Sequence, residues 1–190
     1  IITLVATIHQ SVKFIANDLL RVIKGLEPVF LYIARFGEID RQNAREINKT
    51  LASDAQLLVQ PAGTVSKRNP VKISDLPWNK FFIRKAIQYK RDVIPVHIQA
   101  RNSRLFYNIA SFRKIFRIKS NLEMFLLPRE MFNKSGKTIT ITVGKPIAYK
   151  TFDESRTHLE WAQKVREYVY LLGSENFSSA STIPPFSEIL

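Results

Sequence analysis

A chain of 190 residues that is 45% hydrophobic and 24% charged has the size and balance of one globular domain, which excludes global disorder. It contains no cysteine, which excludes disulfides, thiolate zinc sites and thiol nucleophiles. The excess of 29 Lys and Arg over 16 Asp and Glu gives a net charge of +13, which favours anionic partners such as nucleic acid, an anionic membrane, phosphorylated substrates or an acidic carrier protein.

The first half of the chain alternates between helical spacing and short apolar runs. Residues 15–25 and 41–51 have apolar side chains at helical spacing and predict two helices. Residues 29–34 and 56–60 are short apolar runs that predict buried strands. A further helix is predicted over residues 75–90, because the segment begins with an aspartate that can cap it and has a proline in its first turn.

The second half continues the alternation. Residues 92–99, 121–127 and 138–143 predict strands, and residues 104–116 and 151–172 predict helices. The predicted core-facing stripes of these two helices are Leu105, Ile109, Phe112 and Phe116 in the first and Trp161, Val165, Tyr168 and Leu172 in the second.

This alternation predicts a single α/β domain over residues 1–172, with a mixed β-sheet flanked by helices. Gly173 predicts the end of the last helix. Residues 173–190 are Ser-rich, contain two adjacent prolines and predict a flexible tail. No apolar stretch reaches the roughly 18 residues that would predict a transmembrane helix.

The most informative segment is the loop that follows the predicted strand over residues 56–60. It contains a glycine, small hydroxyl residues and two adjacent cations: Pro61, Ala62, Gly63, Thr64, Val65, Ser66, Lys67 and Arg68. Backbone N–H groups in such a loop can point at an anion, and the two cations add positive charge beside them. A phosphate or carboxylate site is the functional interpretation, and an ordinary polar loop between a strand and a helix is the alternative.

Several segments resemble one enzyme family. LLVQPAGTVSKR at residues 57–68 resembles the third motif, F-P-E-G-T-x-S, of the lysophosphatidic acid acyltransferase superfamily, and VIPV at residues 93–96 is similar to its fourth motif. FIANDLL at residues 14–20 and VIPVHIQARNSRLFY at residues 93–107 look like the hemolysin-like bacterial branch, which includes lyso-ornithine and lyso-glycine lipid O-acyltransferases. The resemblance covers roughly residues 1–150.

The resemblance implies a glycerolipid acyltransferase-like fold. It implies transfer of a fatty acyl group from an acyl-carrier protein or coenzyme A thioester to the hydroxyl of a lysolipid, either lysophosphatidic acid or a lyso-aminolipid. It implies no metal and no cofactor beyond the thioester co-substrate. The implied location is peripheral, at the cytoplasmic face of the bacterial inner membrane, where the basic charge favours an anionic membrane surface.

The resemblance also assigns residues. It places the loop over residues 61–68 at the acceptor and the developing oxyanion, and it makes Arg41, Pro95 and Arg101 further candidate substrate contacts. Arg41 corresponds loosely to the arginine of the family's second motif, and a solvated position at the start of a helix is an equal alternative. Arg101 follows a predicted strand, where it can contact the lysolipid headgroup.

The sequence departs from the family pattern at two places. Ala62 replaces the glutamate of the third motif, as it does in the hemolysin-like branch, which removes one carboxylate contact and points away from the commonest glycerophosphate substrate. The first motif, His-x4-Asp, supplies the general base in the family, and no histidine here has an aspartate five residues later. The residues at that distance are Phe14 after His9, Asn102 after His97 and Gln163 after His158.

A positioned general base contributes roughly 10²–10⁴-fold to the rate, so a chain without one is expected to be nearly inactive alone. We expect the missing motif just upstream of Ile1, which makes the chain a fragment, and a natural pseudoenzyme is the less favoured interpretation.

Two functions of other classes compete with catalysis. The main alternative is a non-enzymatic, basic membrane-surface protein on the same fold. Nucleic-acid binding is disfavoured, because the basic residues are dispersed and no nucleic-acid motif is present. Arg113, Lys114 and Arg117 lie away from the apolar stripe of their helix, which suits either a membrane-surface helix or a core helix with a solvated basic face. His97 is predicted to be a packed or hydrogen-bonded strand residue rather than a catalyst.

Overall fold

The computed structural model describes residues 11–17, 28–33, 41–69, 72–116, 122–174 and 183–190. The strands are β1 Val12–Asn17, β2 Phe30–Ile33, β3 Gln56–Leu58, β4 Lys67–Arg68, β5 Ile73–Ser74, β6 Val96–Gln99 and β7 Thr140–Val143. The α-helices are α1 Arg41–Ala52, α2 Phe81–Tyr89, α3 Arg104–Ile115, α4 Leu127–Phe132 and α5 His158–Leu172. Short 3-10 helices cover Leu122–Leu126, Tyr149–Thr151 and Phe186–Ile189. The predicted α/β class is confirmed, with parallel and antiparallel strands in separate small sheets.

Two compact units interleave along the chain. The first consists of Ile1–Gly63, Asn79–Val93 and Ala148–Ala162, and the second of Thr64–Trp78, Ile94–Ile147 and Gln163–Leu190. The loop over residues 61–68 therefore contributes its first three residues to the first unit and the others to the second. None of the helices in the described part of the chain is long and apolar enough to cross a bilayer.

The first unit contains a parallel three-stranded sheet with β1 at its centre, between β2 and β3. Phe14 of β1 pairs in register with Phe30 of β2, and their ring centroids are 5.7 Å apart. Because β3 ends at Leu58, the loop over residues 61–68 begins at the carboxyl end of a parallel strand. Ligands of open α/β sheets bind at that end, which is where the sheet places residues 61–63, the part of the loop that belongs to the first unit.

Two helices of the first unit provide much of its core. α1 buries Ile47 and Leu51, and α2 buries Ile83, which has no exposed surface. The Lys85 ammonium donates a 2.7 Å hydrogen bond to the Asn48 side-chain oxygen and so joins α2 to α1. Burial and the neighbouring Arg84 lower the pKa of Lys85, while this hydrogen bond gives its ammonium a partner.

The second unit contains two antiparallel pairs, β4 with β5 and β6 with β7. The stripe predicted for α5 is confirmed, because the exposed fractions of Trp161, Val165, Tyr168 and Leu172 are all 2% or less. The helix ends at Leu172, so the predicted stop at Gly173 is also confirmed.

The last described residues belong to the segment predicted to be a flexible tail, and they pack in the second unit. Phe186 is buried, with its ring centroid 5.5 Å from that of Tyr168. The Tyr168 hydroxyl donates a 2.6 Å hydrogen bond to the Pro184 carbonyl. Residues 175–182 of the same segment lie outside the described residues.

Two buried carboxylates join α3 to the 3-10 helix Leu122–Leu126 and to α4. Arg113 of α3 forms a 3.0 Å ion pair with Glu123. Ser103 donates hydrogen bonds to Glu130 from its backbone N–H, at 2.5 Å, and from its hydroxyl, at 2.6 Å. Burial alone would raise the pKa of Glu130, but the two bonds from Ser103 and the nearby cation of Lys134 outweigh it and hold the pKa below its ordinary value.

Three predicted elements are wrong in type or position. The helix predicted over residues 15–25 begins within strand β1, whose central place between two parallel strands overrides the local pattern, and residues 18–27 lie outside the described residues. The strand predicted over residues 121–127 is a 3-10 helix continuing into α4, which has a proline in its first turn. The helix predicted over residues 75–90 begins only at Phe81, where the Asn79 side chain accepts the Phe81 N–H at 3.0 Å.

Two predictions for longer helices need correction. α5 begins at His158 rather than at residue 151, because Thr157 and Glu160 form a reciprocal cap at its start. In α3 the predicted core stripe is largely outside the core, since Phe112 is 56% exposed and Phe116 60% exposed. The buried side chains of α3 are the neighbouring Phe106 and Tyr107.

Candidate functional site

The loop over residues 61–68 begins with a tight turn in the first unit. The Gly63 N–H donates a 3.0 Å hydrogen bond to the Gln60 carbonyl, and Gly63 has a φ of +66°, a conformation that favours glycine. The Pro61 carbonyl accepts bonds from the Asn79 backbone at 3.0 Å and from its side-chain amide at 2.5 Å. The Gly63 amide is therefore engaged within the turn, and the amides that follow it are the candidate anion donors.

Those following amides belong to Thr64 and Val65. In the described part of the chain, neither amide donates to a backbone or side-chain acceptor. Unpaired N–H groups in a loop of this kind are suited to an anionic oxygen. Within the loop predicted to bind a phosphate or carboxylate, the candidate donors are therefore the amides of Thr64 and Val65 rather than that of Gly63.

Ser66 is held by a carboxylate that sequence reasoning assigned to a helix cap. Its hydroxyl donates a 2.5 Å hydrogen bond to one oxygen of Asp75, and the indole N–H of Trp78 donates to the other at 3.1 Å. The backbone of Asp75 is fixed in turn, because its N–H donates to the Tyr170 hydroxyl and its carbonyl accepts from Arg166, both at 2.8 Å. Asp75 therefore positions Ser66, and α5 positions Asp75.

The two cations of the loop form the short strand β4. Arg68 donates from its guanidinium to the Asn108 side-chain oxygen at 3.3 Å, which directs it toward α3. Lys67 is half-buried, and no carboxylate among the described residues forms an ion pair with it. Its ammonium is therefore a charge to which an anionic ligand can bind.

A cavity of about 40 Å³ lies between this part of the loop and α3. Residues 64–67 form one wall, and Phe106, Tyr107 and Ala110 form the other. Burial raises the pKa of Tyr107, although a backbone hydrogen bond from Asn102 and the charge of Arg101 partly offset the shift. The Tyr107 phenol thus keeps its proton at neutral pH and can donate a hydrogen bond.

The structure places the other predicted site residues as follows. Arg41 is exposed at the first position of α1, in the first unit. Pro95 is buried immediately before β6, and its carbonyl accepts the Gly144 N–H at 2.8 Å. Arg101 is exposed, its carbonyl accepts a hydrogen bond from Lys134, and its charge acts on Tyr107. Within the second unit, residues 64–67 and Arg101 are thus brought near Tyr107.

His97 is a packed strand residue, as predicted. A side chain added at Gly173 would collide with its ring, so the ring lies directly against that backbone. Burial lowers the pKa of His97, and the Asp75 carboxylate partly opposes this shift. In the described ranges, no cluster of His, Asp and Glu has the composition to hold a metal ion.

Comparison with known proteins gives a family and two close relatives. The sequence pattern of the family described as "Acyltransferase" matches residues 4–178. The chain is 44% identical over 162 residues to a lyso-glycine lipid O-acyltransferase of Bacteroides thetaiotaomicron, an alignment that covers 85% of this chain and 60% of that protein. It is 41% identical over 164 residues to a lyso-glycine lipid O-acyltransferase of Phocaeicola vulgatus, covering 86% and 59%. The chain therefore spans about 60% of the length of these relatives. No solved structure matches.

Proposed function

The chain belongs to the acyltransferase family, and on that premise we propose that it forms the acceptor-binding part of a lysolipid O-acyltransferase. The observation that carries the proposal is the 44% identity, over 85% of the chain, to a lyso-glycine lipid O-acyltransferase. The loop over residues 61–68 supports it, because unpaired amides, Ser66 and Lys67 lie together beside a protonated phenol.

The reaction is transfer of an acyl group from sulfur to oxygen. The acceptor hydroxyl oxygen attacks the thioester carbonyl carbon, its proton passes to a general base, and the carbon–sulfur bond breaks to release a thiol. Negative charge develops on the carbonyl oxygen in the transition state. The amides of Thr64 and Val65 and the hydroxyl of Tyr107 are the donors that we propose for that oxygen or for the acceptor's own anionic group.

We propose a lyso-glycine lipid as the acceptor, because both relatives are lyso-glycine lipid O-acyltransferases. A glycine headgroup joined through its nitrogen keeps a free carboxylate. Lys67 and Arg68 supply positive charge for such a group. Ala62 stands where the third family motif has a glutamate, whose negative charge would repel that group. Lysophosphatidic acid is the competing acceptor.

The net charge supports our proposals for the acyl donor and the location. An acyl-carrier protein is acidic and coenzyme A carries phosphates, so a chain of net charge +13 is suited to either thioester. The same charge suits an anionic bilayer, and we propose peripheral binding at the cytoplasmic face of the bacterial inner membrane.

The general base is proposed to lie outside these 190 residues, because no histidine of the chain has the His-x4-Asp spacing. The test is an assay of two purified proteins, the 190-residue chain and the product of its whole reading frame, with lyso-glycine lipid or lysophosphatidic acid and either thioester. We expect turnover of lyso-glycine lipid by the longer product only. Turnover by the 190-residue chain alone would place the base within it.

Variants of the longer product test the site. Arg68→Ala is expected to raise KM for the anionic acceptor more than it lowers kcat, because a charge contact made equally in the ground state is uniform binding. Lys150→Ala, which removes an exposed cation from a 3-10 helix of the first unit, is the matched control. If no lysolipid is acylated although the longer product binds vesicles, the chain is instead a non-enzymatic membrane-surface protein.

A further inference from the structure

The second unit presents large apolar side chains to solvent along one continuous stretch of sequence. At the end of α3 these are Phe112 and the residue that follows the helix, Phe116, whose tilted rings have centroids 4.2 Å apart. In the following 3-10 helix and α4, Phe125 is 79% exposed and Phe132 is 72% exposed. Further exposed members of the same stretch are Leu105, Ile115, Leu122 and Met131. We call these eight described side chains the apolar face.

Two buried carboxylates join the described helices that carry the apolar face. The Arg113–Glu123 ion pair joins α3 to the 3-10 helix, and the Ser103–Glu130 hydrogen bonds join the start of α3 to α4. Burying those two carboxylates requires these partners, which therefore fix the three helices together. Monomeric proteins seldom leave several adjacent aromatic side chains in water without a use.

Basic residues outnumber acidic ones in this stretch, and its acidic residues are buried. Residues 104–137 contain the basic residues Arg104, Arg113, Lys114, Arg117, Lys119, Arg129, Lys134 and Lys137. The acidic residues of the same range are Glu123 and Glu130, both buried and both bound to partners. No described carboxylate of this range faces solvent, whereas Arg104, Arg129 and Lys137 are exposed, so the described charge that this range presents to solvent is positive.

We propose that the apolar face docks on an anionic lipid surface, with its aromatic side chains among the acyl chains and the surrounding cations at the headgroups. Projecting aromatic residues flanked by Lys and Arg suit that interface. A second copy of the chain is a poorer occupant, since self-association through this face would bring like charges together.

The apolar face and the candidate site share the helix α3. α3 turns Phe106 and Tyr107 toward the cavity beside residues 64–67, while Phe112 and Phe116 point to solvent. One helix thus has the candidate acceptor site on one side and the proposed lipid contact on the other. Only this purpose, the delivery of a lipid acceptor to the loop, rests on the proposed function; the docking itself does not.

The test is cosedimentation of the 190-residue chain with vesicles made of equal parts phosphatidylcholine and phosphatidylglycerol. The double variants Phe112→Ser/Phe116→Ser and Phe125→Ser/Phe132→Ser are each expected to weaken binding by roughly tenfold or more. Leu159→Ser removes a side chain that is 51% exposed on α5, outside this face, and should bind within about twofold of the native chain. Thermal melts establish that each variant is folded.

A second measurement does not depend on the double variants. Trp78 and Trp161 are both buried, so their emission should change little on vesicles, and a tryptophan introduced by Phe125→Trp accounts for any change at the face. We expect its emission to shift to the blue on vesicles and to be quenched by brominated acyl chains, whereas Leu159→Trp should show neither effect.

Unchanged vesicle binding by both serine variants, or an unquenched Phe125→Trp, would overturn the proposal. Equal binding to pure phosphatidylcholine vesicles would overturn its electrostatic part. Loss of binding to an acyl-carrier protein with vesicle binding intact would assign the face to that protein instead. Turnover of a short-chain lysolipid below its critical micelle concentration, measured in the longer product, tests the proposed function separately.

Discussion

Backbone conformation at Gly63 determines where the loop amides point. With a φ of +66° the residue occupies the left-handed region, and a Cβ built on it meets nothing within 4 Å. Substitution there therefore meets no steric obstacle inside the protein and costs only the conformational term, about 1–2 kcal/mol for a residue with a side chain. If a substitution at Gly63 lowers turnover by more than this loss of stability explains, the additional loss must come from a changed contact with the ligand.

Gly63→Val is expected to reduce turnover of the full reading-frame product by about 10²–10³-fold, because it shifts the amides of Thr64 and Val65 away from the oxygen that we propose they bind. The melting temperature should fall by only a few degrees, at roughly 2–4 °C per kcal/mol for a chain of this size. The measurements are steady-state kinetics with lyso-glycine lipid and a thermal melt.

Gly136 offers a matched control for that variant. Its φ is +71° and a Cβ there also meets nothing within 4 Å, so Gly136→Val carries the same conformational cost. We expect Gly136→Val to lower the melting temperature about as much as Gly63→Val does and to leave turnover unchanged. Equal losses of activity in the two variants, or full activity of Gly63→Val, would show that the loop is only structural.

His97 makes the free energy of unfolding depend on pH, and the burial of its ring determines the direction of that dependence. Its pKa lies below 6.5, because burial disfavours the imidazolium more than the Asp75 carboxylate favours it. Between the folded pKa and that of the unfolded chain, the unfolded state binds more protons. The free energy of unfolding therefore rises with pH in that interval, and the stabilisation is lost as pH falls below about 6.5.

We expect His97→Gln to flatten this part of the stability profile, measured by urea unfolding between about pH 5 and pH 8. Asp75→Asn removes the opposing charge and should lower the pKa of His97 further, which an NMR titration of the ring can follow. A His97 pKa at or above that of a free histidine would contradict the account.

The site was only partly predictable from the sequence, for reasons visible in its contacts. The loop over residues 61–68 is contiguous, so its glycine, hydroxyls and cations could be recognised directly. Asp75 and Tyr107 act on it from elements that follow later in the chain, and Tyr170 holds Asp75 from α5. Nothing in local spacing identifies such partners, and the proline after Asp75 indicated a helix cap instead.

At the level of elements, periodicity located α3 and α5 but determined the buried side of only one. In α5 the apolar stripe is the core-facing side, as expected for an amphipathic helix that packs on a protein core. In α3 the stripe of Leu105, Phe112 and Phe116 faces outward, and Phe106 and Tyr107 are buried instead. A period of 3.6 residues shows that a helix has two different faces, but not which face meets protein.

Short apolar segments were the least predictable. Residues 122–126 are as compatible with a strand as with a helix by composition, and their 3-10 structure depends on burying Glu123 against Arg113, ten positions earlier. Residues 12–17 form a strand because two other strands pair with them. In both cases the deciding contact is not local.

The start of α5 supports a prediction about stability. Thr157 and Glu160 form a capping box, in which the Thr157 hydroxyl accepts the Glu160 N–H at 3.3 Å and the Glu160 carboxylate accepts the Thr157 N–H at 2.7 Å. Thr157→Ala is expected to lower the free energy of unfolding by about 0.5–2 kcal/mol. Urea unfolding measures the change, and the exposed Thr138→Ala, in no helix, should leave it nearly constant. Equal effects of the two variants would show that the cap is not stabilising.

At the scale of the whole molecule, charge and apolar exposure make distinguishable contributions to membrane binding. The net charge of +13 attracts an anionic bilayer over distances set by screening, whereas inserted aromatic side chains act only on contact. Added salt weakens the first contribution and leaves the second nearly unchanged. Their balance can therefore be read from a salt titration.

We expect the native chain to bind vesicles containing phosphatidylglycerol at low salt and to release progressively as salt is added, because the screening length falls from about 10 Å at 0.1 M to about 3 Å at 1 M. Pure phosphatidylcholine vesicles should bind it weakly at every salt concentration. Phe112→Ser/Phe116→Ser keeps the net charge, so its weaker binding should retain the same dependence on salt. Flotation of the vesicles measures the bound fraction at each concentration. Binding that does not respond to salt, in either protein, would mean that apolar insertion alone holds the chain at the bilayer and that its basic charge serves another partner.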